Sequence, residues 1–396
     1  MRPIARLAGA CLASLAVYWL AFALVLDRPL TLDFIAAQID LRLARGAAAS
    51  GPKLVILAGS NGPYSHRCQT IGPMLGRPCV NAGVAVGIGL DYLFARWKPL
   101  LHPGDAVYLP MEETQYARGA AAAALGPDAA IMLRHDWATL SRLGPARWAG
   151  AAFSGDLSGA VMSVIETALM QSGFHDPRAA IDGAANAWGD HVGHSPALGA
   201  IDRAVLAAAH PWHATPAEVR RGHGSAEIAA FLDWARGHGV RTIGGLPTGF
   251  ADSPIPPRTL AAIAALYARH GAGFLVLANR SRYKRADFFD TPDHLSEPCQ
   301  IAHSALVARG LAGMLGVAVR PPPAIRLAAG EVCPAPPPAA MPELVAKIAG
   351  KQPIPARDPP WRGRSRMRSG ESEAAFLGPP PGGERRAPER SGLDWP

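Results

Sequence analysis

Charged side chains are scarce in this 396-residue sequence: Asp, Glu, Lys and Arg make up 18%, against 49% hydrophobic residues. That balance leaves ample apolar material for a sizeable core, and the length permits two domains or one domain with insertions. Cysteine is scarce too, five in all. With no C-x-x-C and no His-rich spacing, no structural metal is expected. No internal repeat runs through the chain. Basic residues do not interleave with aromatic ones in the body of the chain, so nucleic acid is not an expected partner. The formal net charge of +8 gathers near the end, in "WRGRSRMRSG" and "GGERRAPER". It argues only for weak attraction to an anionic surface.

One long uncharged run is present. Arg2 and Arg6 precede Leu7 to Leu26, and Asp27 and Arg28 close it. Twenty apolar residues at about 1.5 Å each span a hydrocarbon core of about 30 Å. Basic residues in front predict a cytoplasmic amino end and an exported body, anchored in the cell inner membrane through residues 7–26. A cleaved signal peptide is the alternative, with Ala21-Phe22-Ala23 as an A-x-A-like site. Cys11 does not read as a lipoprotein cysteine, because too little apolar sequence precedes it and too much follows. In either case the body lies in a periplasmic or other extracytoplasmic compartment, where disulfides persist. Cys68 and Cys79 flank one helix and form the expected pair. Cys299 with Cys333 would be the other, although four cysteines allow three connectivities.

Five short apolar runs predict strands: Lys53–Ala58, Pro78–Asn81, Asp105–Leu109, Val240–Leu246 and Gly273–Leu277. Helical spacing lies between them, over Tyr64–Leu75, Gly89–Leu101, Ser225–His238 and Arg258–His270. Strands alternating with helices predict an α/β domain with a mostly parallel sheet covered on both faces. An alanine-rich stretch of helices and loops, residues 117–224, reads as an insertion capping one end of the sheet. Within it "NAWGDHVGH" clusters Asp190, His191 and His194, a metal-like trio that also fits a polar loop near a site. From residue 320 to 396 the Pro/Gly/Arg-rich composition predicts a disordered tail.

The first run breaks off at "VILAGSNGPYSH", with Ser60 at the break. This is either an ordinary strand-to-helix turn or a nucleophile at the carboxyl end of a central strand, where open α/β sheets place their sites. A serine nucleophile needs a base, an orienting carboxylate and oxyanion donors. "DFFDTPDHL", after the last strand, supplies His294 with Asp290 and Asp293 within a turn of it.

Taken together, "AGSN", "CVNAG" and "DTPDHL" at three strand ends resemble the SGNH hydrolase superfamily, also called GDSL esterases. The resemblance covers roughly residues 50–315. It is nearest to exported, membrane-anchored members linked to O-acylation of cell-surface polysaccharides, such as relatives of the teichoic-acid D-alanyl transfer protein. "GDAVYLPMEETQY" also looks like the third-strand segment of such members. The resemblance implies a three-layer, flavodoxin-like parallel sheet with a helical insertion after one transmembrane helix. It implies a Ser-His-Asp ester hydrolase or O-acyltransferase that needs no cofactor, takes an acylated glycan or small acyl ester, and works beside a polytopic membrane acyltransferase.

Residue by residue, Ser60 matches the nucleophile, His294 the base, and Gly83 the glycine that lines the oxyanion hole with the Ser60 N–H. The usual Asp-x-x-His spacing lands on Thr291. Asp290 is then the acid, with Asp293 the alternative, because Asp293 would have to fold back past its own backbone. The family's Gly-x-Asn-Asp block is missing, and Pro110-Met111-Glu112-Glu113 stands in its place. A carboxylate there repels an oxyanion unless protonated or paired, so Asn61 is the substitute donor. Glu112 and Asn81 are the substrate-binding candidates. A simple carboxylic-ester hydrolase and a catalytically silent glycan-binding or assembly protein are the competing readings. The missing Asn keeps the silent reading open.

Overall fold

The computed structural model describes residues 2–26, 30–124, 129–154 and 184–325, with isolated positions between and after them. The five apolar runs form strands β1 (Leu54–Ile56), β2 (Cys79–Asn81), β3 (Ala106–Leu109), β4 (Arg241–Gly245) and β6 (Gly273–Leu275). Two short strands, β5 (Gly249–Phe250) and β7 (Arg282–Tyr283), pair separately. The main sheet runs 2-1-3-4-6, and every neighbouring pair is parallel. The order reverses between β1 and β3, which opens a crevice at their carboxyl ends.

The strands are shorter than the apolar runs, yet bonding continues past them. Leu57 N–H donates to Tyr108 O at 3.0 Å and Ala82 N–H to Ile56 O at 2.8 Å. Alternate side chains point to opposite faces, so a strand that is apolar throughout needs cover on both. Leu54, Ile56 and Tyr108 pack on Ile71, Met74, Val307 and Leu311, from helices Cys68–Leu75 and Glu297–Leu315. Val55, Leu57 and Val107 pack on Phe94, Phe231 and Ile263, from helices Leu90–Trp97, His223–Gly237 and Pro257–Arg269. The result is a three-layer α/β arrangement.

Several expectations need correction. The helix expected over Tyr64–Leu75 is two helices, Asn61–Ser65 and Cys68–Leu75. The break is held from outside: Asp190 accepts the N–H groups of Cys68 at 2.7 Å and Gln69 at 3.0 Å, which satisfies the second helix's amino end. Cys68 therefore opens a helix rather than preceding it, and it bonds to Cys79 at the start of β2. The described parts of the insertion do not form a single cap. Residues 130–152 lie beside the helix Leu90–Trp97, where Asp136 bonds to Tyr92 and Arg96. Among the described residues, the later part of the insertion meets the carboxyl edge of the sheet, where His191 N–H donates to Pro63 O and Ala214 N–H to Glu113 Oε2. The stretch expected to be a disordered tail starts on the body: Arg320 N–H donates to Met74 O, and Cys333 bonds to Cys299. From residue 334 on, the chain lies outside the described residues.

The helix Arg2–Leu26 begins earlier than the uncharged run, and Arg2–Ala21 is long and apolar enough to be a membrane span or a signal sequence. At the other edge of the sheet an ion pair is fully enclosed. Lys53 Nζ meets Asp105 Oδ2 at 2.6 Å, with side-chain exposures of 1% and 2%. Asp105 also accepts the N–H groups of Lys53 and His102, so one carboxylate fastens the starts of β1 and β3. Removing one partner strands a buried charge. Asp105→Ala is expected to destabilise the chain by about 3–5 kcal/mol in denaturant unfolding; a loss below about 1 kcal/mol would mean that water reaches the pair.

Candidate active site

Beyond β1 the chain reverses sharply. Gly62 N–H donates to Gly59 O at 3.0 Å, and Ser60, with φ −63° and ψ −23°, opens the helix Asn61–Ser65. The glycines here answer to space. A Cβ on Gly59 would lie 2.4 Å from Val86 and 2.6 Å from Glu112 Oε1, and one on Gly83 would lie 2.7 Å from Gly59 O. The backbones after β1 and β2 thus close to a distance that only glycine permits, and Ser60 is left at the rim.

His294 reaches that rim from a closed loop. Phe289 N–H donates to His294 O at 2.8 Å and Ser296 N–H to Asp287 O at 2.8 Å. The Ser65 and Thr248 hydroxyls hold Asp293 O at 2.7 and 2.8 Å, and Leu295 N–H donates to Ser65 Oγ. The short helix that begins after Ser60 therefore also grips the segment bearing His294. The loop returns Asp290 to the imidazole across four residues, where the common spacing uses three.

A continuous hydrogen-bonded chain results. Asp290 Oδ1 lies 2.7 Å from His294 Nδ1, and His294 Nε2 lies 2.8 Å from Ser60 Oγ. A carboxylate only accepts, so Nδ1 carries a proton, and the lone pair of a neutral Nε2 faces the hydroxyl. This geometry can deprotonate a serine as it attacks. Tyr64 lies flat between two imidazoles, 4.0 Å from His294 and 4.0 Å from His191. Stacking of this kind restricts rotation of the His294 ring.

The other sequence candidates fall elsewhere. Among the described residues the imidazole's Nδ1 is held by Asp290, not by Asp293. Asn61 is fully buried and its Nδ2 donates to Pro110 O at 2.7 Å, so its amide serves β3 rather than an oxyanion. Asn81 is fully buried as well, donating to Gly62 O, His66 O and Asp190 Oδ1. It is a brace, and no substrate reaches it. Glu112 is pressed against Gly59, and its Oε1 has no hydrogen-bond partner among the described residues. Burial, followed by the Asp293 charge, pushes its carboxyl well above the ordinary range, while the Asn61 N–H opposes the shift. Burial also raises Asp293. Asp190 spends its oxygens on Cys68, Gln69, Asn81 and Asn186. Its cluster with His191 and His194 is a polar brace beside the site.

Ser60 and Gly83 line a cavity of about 220 Å³ together with Tyr64, Gln38, Arg42 and Ile35. Sequence reasoning missed Tyr64, Ser65 and Arg42. Tyr64 carried a usable signal, since it stands one helical turn after Ser60. Arg42 carried none. Comparison with protein-family models and with curated proteins returns no match for this chain.

Glu112 yields a pH test. Below the ordinary carboxylate range it is protonated whether the chain is folded or not. As pH rises above that range the unfolded chain releases this proton first, so stability falls until the raised folded-state value is passed. Glu112→Gln is expected to raise Tm at about pH 8 and to change it far less at about pH 4. Thermal unfolding at both pH values reads this; equal shifts would mean that Glu112 ionises normally.

Proposed function

We propose that this chain is an exported, membrane-anchored serine esterase or O-acyltransferase of the SGNH type, acting on acyl esters of a cell-surface or exported polysaccharide. The observation that carries this reading is the chain Asp290–His294–Ser60 at the carboxyl edge of the sheet. The 2-1-3-4-6 parallel order supports it further, as do the glycine-only approach of Gly83 to the Ser60 turn and a cavity beside the hydroxyl.

The chemistry follows from the geometry. Ser60 Oγ attacks the ester carbonyl as His294 Nε2 takes its proton, and Asp290 steadies the resulting imidazolium. The Ser60 N–H receives the oxyanion, joined by the Gly83 N–H as it exchanges its long 3.4 Å bond to Asn81 Oδ1 for the developing charge. His294 then returns the proton to the departing alkoxide, leaving an acyl-Ser60 ester. Water or a sugar hydroxyl, deprotonated by the same imidazole, attacks that ester, and Ser60 recovers its proton. Hydrolysis and transfer differ only in which hydroxyl enters.

The proposed anchoring rests on the apolar run within the helix Arg2–Leu26, and its orientation on Arg2 and Arg6 at the amino end of that helix. On this reading the body lies on the periplasmic side of the inner membrane, an oxidising setting that suits the disulfides Cys68–Cys79 and Cys299–Cys333. A polytopic membrane acyltransferase is the proposed source of the acyl group. One observation favours the second reading, a silent glycan-binding protein: Glu112 stands at the end of β3, where the family supplies an Asn donor. Losing one such donor typically costs about 100- to 1,000-fold in rate.

Two tests decide. Ser60→Ala and His294→Ala are each expected to lower turnover of a small aryl acetate by at least about 1,000-fold, and the double variant to do no further harm. Asp290→Asn is expected to cost more than Asp293→Asn. Folded variants with unchanged turnover would leave the silent reading standing. For topology, a reporter that needs export, fused after residue 50, is expected to be active; a signal from a cytoplasm-dependent reporter would reverse the assignment.

A further inference from the structure

Arg42 is the odd residue in the cavity beside Ser60. It lies on the helix Leu30–Ala48 and is only 4% exposed. Its Nε and Nη2 donate to a single backbone carbonyl, Gly189 O, at 3.3 and 3.2 Å. Among the described residues no carboxylate forms an ion pair with it, and Nη1 meets no acceptor. Asp190 is the carboxylate whose charge acts on it, but both of its oxygens are committed to Cys68, Gln69, Asn81 and Asn186. Burial lowers the guanidinium to about 10, so it keeps its charge at neutral pH. A buried cation held by one carbonyl is an unfavourable arrangement on its own. It becomes favourable when an anion enters.

The walls favour such an anion. Ile35, Pro63, Val84 and Ala85 enclose the same cavity, and apolar walls strengthen a charge-assisted bond by excluding water. A guanidinium presents paired N–H groups that match the two oxygens of a carboxylate.

Resting on the esterase reading above, we propose that the cavity is an acidic-substrate subsite in which Arg42 receives a carboxylate carried by the acylated substrate. Two chemistries place a carboxylate near an ester: a dicarboxylic acyl group such as a succinyl monoester, or the carboxylate of a uronic-acid residue in the sugar. Both present the same group to Arg42.

The experiment measures binding in the full-length Ser60→Ala chain in detergent, so that it does not depend on turnover. Methyl glucuronoside is compared with methyl glucoside, and succinate with succinamide, by calorimetric titration. At least one carboxylate is expected to bind about tenfold or more tightly than its neutral counterpart, and adding Arg42→Gln is expected to abolish that preference. Preference in the sugar pair assigns the carboxylate to the glycan; preference in the succinate pair assigns it to the acyl group. Equal affinities within both pairs overturn the proposal without any change at Arg42, as does a preference that survives Arg42→Gln. Should Arg42→Gln fail to fold, Arg42→Lys decides: it keeps the charge and loses the fork, so the preference is expected to shrink severalfold. An unaltered preference in Arg42→Lys overturns the assignment. Absence of aryl acetate turnover in the unsubstituted chain would remove the esterase reading alone, since these affinities stand apart from it.

Discussion

One buried carboxylate holds the carboxyl edge together. Asp190, on the insertion, accepts from the first two N–H groups of the helix Cys68–Leu75, from Asn81 at the end of β2, and from Asn186 on its own loop. Asn81 in turn donates to the carbonyls of Gly62 and His66, which fixes the short helix after Ser60. Without Asp190, the first two N–H groups of that helix would lie in the interior with unmet hydrogen bonds, each costing about 1–3 kcal/mol. Burial raises the Asp190 carboxyl while its four donors oppose that shift. Such a network is favourable only when every member is satisfied, and here the insertion supplies the last member.

The triad geometry depends on the same bracing at one remove. Ser65 ends the helix that begins after Ser60, and its hydroxyl grips the Asp293–Leu295 backbone. A shift of this helix therefore moves nucleophile and base together, which preserves their separation. On the far side, Gln300 donates to Pro63 O and His191 O, so the helix Glu297–Leu315 holds the same turn from below. Arg67 pairs with Glu297 across this contact. The nucleophile's helix is clamped from three directions by residues distant in sequence.

Much of this was legible in the letters. The five strands follow from apolar, β-branched runs bounded by Gly and Pro, a signal that is local and strong. Ser60 was readable because it stands just past the end of β1, and His294 and Asp290 because an acid and an imidazole sit close together in the segment after the last strand; the choice of Asp290 over Asp293 followed from backbone reach. Asn61 and Asn81 were misread for the opposite reason. An amide's role depends on which carbonyl it faces, and here those carbonyls belong to Pro110, Gly62 and His66. The break between the two helices was hidden too, since its cause is Asp190, more than a hundred positions away. Arg42 carries no signal in the sequence, because the carbonyl that holds it belongs to Gly189, 147 positions away.

The contact between Ser60 and His294 spans 234 positions of sequence. Closing a loop that long costs entropy that grows only with the logarithm of its length, so the penalty is bearable once the sheet between them is in place. The order of events is constrained all the same. A growing chain emerges with the serine early and the imidazole late, and for most of its synthesis the hydroxyl has no base. The reactive pair is therefore among the last features to come into being, after the surrounding scaffold exists to receive it.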